Sequence, residues 1–320
     1  MSPRQRVFER RLRFTDPFIE QHRLSEVGVL PAAVEVEMAL AAMLGGTPLQ
    51  PVELANVAFQ RAVTIRADTQ SALRLTVTFE GDAGPWSFRL ESAEAPESED
   101  APRHWTPVSS GEGGLLADAL PTAPLGVQAA RELSPAAVYA RFHARGITYG
   151  PDFRSIRSLR VGAGGALATV ALPADARLAS WYLHPLLLDG VLQVVSCAVQ
   201  APRRAEDLEV YIPVGIERLR LSRPMEERVQ VEVAVTAETG EMAEANVVIR
   251  GSRDETLATL RGVRMKRRFS GASQRRPPAA PQTHNGLSWE LDWQPVEAGA
   301  ERPTPGGTWL LFADAAQRGA

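Results

Sequence analysis

Two stretches of this 320-residue chain are apolar on nearly every side of a helix, and they constrain the fold more than anything else in it. The first is Pro31–Leu44, PAAVEVEMALAAML, ended by Gly45 and Gly46; the second is Pro185–Val199, PLLLDGVLQVVSCAV. Proline opens each one, where its missing N–H costs nothing, and glycine past the end is the expected stop. A helix with no polar face cannot lie on a surface, so other structure must wrap it.

The wrapping material is strand-like. Around the first helix lie Arg6–Phe14, Val52–Ile65, Leu73–Phe79 and Trp86–Glu91, and the LRLTVTF of 73–79 alternates apolar and polar residues as a half-buried strand does. Phe153–Val161 and Ala166–Leu172 precede the second helix, with GAGG at 162–165 as the hairpin turn between them. Ile212–Leu221, Val229–Thr236, Glu244–Arg250 and Leu257–Lys266 follow it. The expected fold is therefore α+β: two curved antiparallel sheets, each wrapping a long buried helix, a structural repeat without obvious residue identity. Residues 1–95 form the first unit and 134–269 the second. Between them, 96–133 is rich in Glu, Pro, Ser and Gly and reads as a linker, and Ser134 caps a short helix at 135–145. From 270 to 320 comes a proline-rich connector, then two strand-like runs (287–295 and 308–314) of a following unit.

Several functions are disfavoured by composition. A net charge of −3 offers no basic face for nucleic acid, and the run Lys266, Arg267, Arg268 reads as a solvated edge. The single cysteine, Cys197, allows no internal disulfide and sits in an apolar run, as a small hydrophobe would. No apolar stretch is long enough for a membrane span and the N-terminus lacks a signal-peptide core, so the expected location is the cytoplasm.

Chemistry then rests on few residues. Asp189 interrupts the second helix, and Gln193 lies four residues on, one turn along the same face. Burial would raise the carboxyl pKa and make it a proton donor near neutral pH, whereas an Asp held by a local partner explains the spacing equally well. His22 precedes the first helix, and the amides of 21–31 can face an oxyanion; a structural histidine is the alternative. If the two sheets pack side by side, base and acid meet. His104, His143, His184 and His284 have no metal-ligand spacing, and neither a phosphate loop nor a nucleophile elbow is present. Acid/base chemistry without a metal or cofactor is what remains.

Four ordered motifs carry a family resemblance over about 200 residues: DPFIEQHRLSEVGVLPAAVEVEMALAA (16–42), ITYGPDFRSI (147–156), HPLLLDGVLQ (184–193) and YIPVGIERLRL (211–221). The chain resembles the dehydratase domains of modular type I polyketide synthases. That resemblance implies a double hotdog fold and the dehydration of a β-hydroxyacyl thioester carried on the phosphopantetheine arm of an acyl carrier protein. It implies His22 as base, Asp189 as acid, Gln193 holding Asp189, and Tyr149 contacting the β-hydroxyl or Asp189. Amides near Val27, Gly28 and Gly150 would steady the thioester carbonyl, with Pro31, Pro151 and Phe153 in the same substrate site. It also implies a homodimer and neighbouring synthase domains, the tail being similar to the entry of a ketoreductase region.

One position departs from the family pattern. Where the family has glycine four residues after the histidine, this chain has Glu26, with Gly28 two residues later. Either Glu26 points outward and the loop keeps its path, or the chemistry changes. Double-bond isomerisation, ring closure by oxa-Michael addition and an inactive dimerising scaffold are the alternatives to simple dehydration.

Overall fold

The computed structural model describes residues 4–45, 50–81, 85–94, 103–116, 120, 123–176, 178, 181–200 and 209–269. In chain order the N-terminal half carries β1 (Arg4–Arg13), α1 (Pro17–Glu20), β2 (His22–Leu24), β3 (Val27–Val29), α2 (Ala32–Leu44), β4 (Val52–Phe59), β5 (Thr64–Ile65), β6 (Gln70–Phe79), β7 (Trp86–Glu94) and β8 (Thr106–Leu115). The C-terminal half carries β9 (Arg131–Leu133), α3 (Pro135–Ala144), β10 (Ile147–Tyr149), a 3-10 turn (Pro151–Phe153), β11 (Ile156–Gly162) and β12 (Gly165–Ala171). It continues with α4 (Pro185–Gln200), β13 (Glu209–Leu221), β14 (Arg228–Glu238), β15 (Met242–Arg250) and β16 (Thr256–Phe269).

Twelve strands join one antiparallel sheet in the order β1-β6-β7-β8-β4-β13-β16-β15-β14-β12-β11-β9. The N-terminal strands hold α2 against β6 and β7, and the C-terminal strands close on α4 from β11, β12, β13 and β14. β4 and β13 are the seam, with the fully buried Leu54 and Leu219 paired across it. The seam makes α2 and α4 neighbours. This is the double hotdog architecture.

Helix α4 is wrapped as its composition demands. Leu187, Leu188, Val191, Val194 and Val195 are fully buried, each contributing about 1.5–3 kcal/mol of burial. Gly190 lets the helix approach the sheet: a Cβ there would overlap Ser155 Oγ and come within 2.7 Å of Val170 Cγ1. On α3 the expected cap forms, with Ser134 Oγ accepting from Ala137 N–H at 3.3 Å.

The structure corrects the linker. Residues 106–115 form β8, a full strand between β7 and β4, and 131–133 form β9 on the edge beside β11. The Gly and Ser content of β8 is packing rather than flexibility. Gly113 lies opposite Trp86 and Gly111 opposite Phe88, and side chains at either glycine would collide with those rings. The run 52–65 is also two strands, because β5 leaves the large sheet for a small one. That second sheet, in the order β10-β2-β3-β5, joins strands from both halves. Residues 270–320, with the expected connector and tail strands, lie outside the described residues.

Candidate active site

His22 sits on the small sheet rather than on a loop before α2. Its partner across the β2–β10 pairing is Tyr149, so the pairing of the two halves itself places the histidine. Nδ1 lies 2.9 Å from the Val29 carbonyl oxygen. A carbonyl only accepts, so Nδ1 carries the hydrogen and the neutral ring presents Nε2 as a bare base. Tyr149 and Phe153 fix the ring from the sides, at centroid distances of 5.5 Å and 5.3 Å.

Asp189 faces that nitrogen from α4: its Oδ1 lies 3.9 Å from His22 Nε2. The other oxygen, Oδ2, accepts from Gln193 Nε2 at 2.8 Å, the contact predicted by the one-turn spacing. Asp189 is 5% exposed, and burial raises its pKa despite the opposing effects of His22 and the Gln193 hydrogen bond. A carboxyl group whose proton is favoured by burial, facing an imidazole nitrogen, has the make-up of an acid/base pair.

Behind the pair lies a buried polar chain. Gln193 Nε2 also donates to the Phe153 carbonyl at 2.9 Å, Tyr139 donates to Gln193 Oε1 at 3.1 Å, and Ile156 N–H donates to the Tyr139 hydroxyl at 3.0 Å. Tyr139, on α3, went unnoticed in the sequence, where nothing but an apolar helix position marks it. Tyr149 is packed against the Phe142, Phe153 and His22 rings, and burial together with the Asp189 charge keeps its phenol protonated well above the usual range.

The remaining expectations divide. Phe153 lies at the site, and Pro151 opens the turn that carries it. Gly28 is buried within the small sheet, paired with Arg23 on one side and Ile65 on the other; Val27 stands beside it on β3, and Pro31 caps α2. Gly150 is corrected: its N–H donates to the Gln21 carbonyl at 2.7 Å, so that amide is occupied. Gln21 also ties down Asp152, donating to its carboxylate at 2.6 Å and accepting from its N–H at 3.0 Å, which braces the strand bearing His22. Glu26 is exposed in the turn between β2 and β3. It stands four residues after His22 in the sequence.

Two further acidic and basic groups organise the helices. Glu37 of α2 accepts from Tyr182 N–H at 2.9 Å and Leu183 N–H at 2.8 Å, holding the chain just ahead of α4, and burial lifts its pKa to about 7. His184 caps α4 by accepting from Leu186 N–H at 3.2 Å, and burial lowers it to about 4, so it stays neutral. Beside it opens a cavity of about 330 Å³ lined by Phe18, Asp152, Phe153, Trp181, His184 and Leu186, and the Phe153 ring also packs against His22. Among the described residues no helix is long and apolar enough to cross a membrane, and no cluster of three metal-ligating side chains occurs.

The class this fold and site define is a double hotdog in which a histidine and a buried aspartic acid face each other. Comparison with known proteins names the family. The model described as polyketide synthase dehydratase domain matches residues 1–93, and that described as polyketide synthase dehydratase N-terminal domain matches 117–275. Polyketide synthase ThaG of Burkholderia thailandensis is 29% identical over 304 residues, 88% of this chain and 5% of the relative. The phthioceranic/hydroxyphthioceranic acid synthase of Mycobacterium tuberculosis is 25% identical over 314 residues, 94% of this chain and 14% of the relative. The chain thus spans a small part of these relatives' length. Among solved structures, the dehydratase domain from the CurJ module of curacin polyketide synthase matches with a TM-score of 0.73 at 18% identity, covering 84% of this chain and 93% of that one. The CurK module's dehydratase domain matches with a TM-score of 0.71 at 23% identity, covering 83% and 94%. Two CurK structures, one with an aspartate changed to asparagine and one with a histidine changed to phenylalanine, are described as inactive mutants. The chain belongs to the polyketide synthase dehydratase domain family.

Proposed function

We propose that the chain removes water from a β-hydroxyacyl thioester, giving the α,β-unsaturated thioester, as a hydro-lyase in polyketide chain elongation. The observation that carries this reading is the 3.9 Å approach of His22 Nε2 to Asp189 Oδ1. Carbon atoms joined by a single bond lie about 1.5 Å apart. A base nitrogen and an acid oxygen at this separation can therefore serve one face of two adjacent carbons. His22 Nε2 takes the α-proton, and the Asp189 hydroxyl proton goes to the departing β-hydroxyl, which leaves as water. The electron pair of the broken C–H bond becomes the new C=C bond. A histidine and an aspartate are also the residue types whose replacement is described as inactivating in the CurK dehydratase. The substrate arrives on the phosphopantetheine of an acyl carrier protein, within a synthase of further domains and as a homodimer. No cofactor takes part in this scheme. The exposure of Glu26 in the turn between β2 and β3 supports simple water loss over altered chemistry.

The test is incubation with 3-hydroxyacyl pantetheine thioesters of both β configurations, followed by intact mass and product NMR. Loss of one water, reduced at least about 10²-fold by His22→Ala and by Asp189→Asn, is the expected result. Turnover that persists in both variants would sink the assigned dyad, and γ-hydrogen exchange without water loss would replace dehydration by isomerisation.

A further inference from the structure

The buried chain behind Asp189 has a direction that can be followed group by group. Ile156 N–H can only donate, so the Tyr139 oxygen accepts from it at 3.0 Å. The hydroxyl hydrogen of Tyr139 is then directed to Gln193 Oε1, 3.1 Å away. This contact decides which end of the Gln193 amide is which. Nε2 must lie on the other side, where its two hydrogens go to the Phe153 carbonyl at 2.9 Å and to Asp189 Oδ2 at 2.8 Å. Oδ2 is thereby held as an acceptor. The only carboxyl oxygen left to bear a proton is Oδ1, which faces His22 Nε2.

We infer that Tyr139 is a positioning residue for the dehydration: its hydroxyl sets the polarity of the Gln193 amide, and so places the transferable proton of Asp189 on the oxygen that faces the base. This deepens the functional reading above and rests on it. With the amide reversed, Gln193 Oε1 would meet the Phe153 carbonyl, an acceptor against an acceptor. It would also draw the Asp189 proton onto Oδ2, away from His22. The Tyr139 oxygen would then face two donors at once.

Charged and titratable groups face this network from the elements packed around Asp189. Tyr139 of α3 and Tyr149 of β10 are both raised by burial, and Cys197, further along α4, is pushed up to about 12. Arg157 of β11 acts on Tyr139 through its charge, opposing the effect of burial. Glu37 of α2 is committed to the 182–183 amides, and Asp152 of the 3-10 turn is committed to Gln21.

Tyr139→Phe removes the hydroxyl and leaves the packing. Expected is a fall in kcat of about tenfold or more, with KM within about twofold, for the 3-hydroxyacyl pantetheine thioesters. The alkaline limb of the rate profile should move up by about half a pH unit or more, because the Asp189 anion loses a fixed donor. In a Gln193→Met background the same Tyr139→Phe change should do nothing further, since the amide it orients is gone. A lowered kcat with the limb in its wild-type place, or losses that simply add in the double variant, would show Tyr139 to be structural only. A second measurement needs neither turnover nor a Tyr139 variant. With nitrogen-15 in glutamine side chains, the Gln193 amide resonance, assigned by its loss in Gln193→Met, should shift as Asp189 titrates and cease to shift in Asp189→Asn. A resonance indifferent to that titration overturns the inference even if dehydration is intact. A wild-type chain that turns over no substrate overturns the functional reading instead, and the resonance still tests the orientation.

Discussion

Replacing Glu35 with glutamine should change how the stability of this chain depends on pH, in a direction and amount that its burial dictates. Glu35 stands on α2, 4% exposed, with no hydrogen-bond partner for Oε2 among the described residues. Burial raises its pKa from 4.5 to about 8, and Ser109 of β8 offsets little of that. In the folded chain the carboxyl therefore stays protonated to about pH 8, whereas in the unfolded chain it ionises above about 4.5. Each pH unit between those values favours unfolding by about 1.4 kcal/mol. The stability is fully present below the unfolded value, declines as pH rises, and levels off above the folded one. From pH 5 to 8, with partial titration at both ends, the loss amounts to roughly 3 kcal/mol. Glu35→Gln keeps the shape and removes the titration. Urea unfolding of both proteins at pH 5, 6, 7 and 8 gives a difference curve in which Glu37 and Asp189 cancel. The variant should gain on the wild type by roughly 3 kcal/mol across that range. Parallel curves would refute the reasoning, because Glu35 would then be ionised, or equally protonated, in both states.

Substitutions at three other positions probe the frame of the site. Gly190→Ala drives a methyl group into Ser155 and Val170 beside Asp189, and should lower kcat with a loss of about 1–3 kcal/mol in stability; a fully active, equally stable variant would show that α4 has room to shift. Glu37→Ala strands the Tyr182 and Leu183 amides and should destabilise by about 1–3 kcal/mol for each amide that stays buried, with Glu37→Gln losing less, measured by thermal unfolding. Glu26→Gly, at an exposed turn, should leave kcat/KM within about twofold; a larger change would return Glu26 to the reacting centre.

Much of this arrangement was legible in the sequence because it rests on local rules. The two wrapped helices, the Ser134 cap and the Gln193–Asp189 contact follow from periodicity, capping chemistry and one-turn spacing. What stayed hidden depends on partners far along the chain. The glycines of β8 look like a linker until Trp86 and Phe88 lie over them. β2 is three residues long, too short for any alternation to show, and its partner β10 comes from the other half. Tyr139 meets Gln193 across 54 positions, so no spacing rule could pair them. Gly150 looked free to polarise a carbonyl because the acceptor that takes its N–H belongs to Gln21.

The pairing of β2 with β10 has a consequence for how the molecule is assembled. His22 and Tyr149, directly opposed in that ladder, are 127 positions apart, and Asp189 lies further still. Contacts of such long range must first overcome the loop-closure entropy of the intervening chain, so they tend to form late. Either half could collapse around its own helix and still hold only one member of the dyad. In a refolding experiment, catalytic competence should therefore return no earlier than the docking of the halves. Regained activity would time the closing event of folding, where circular dichroism reports the opening ones.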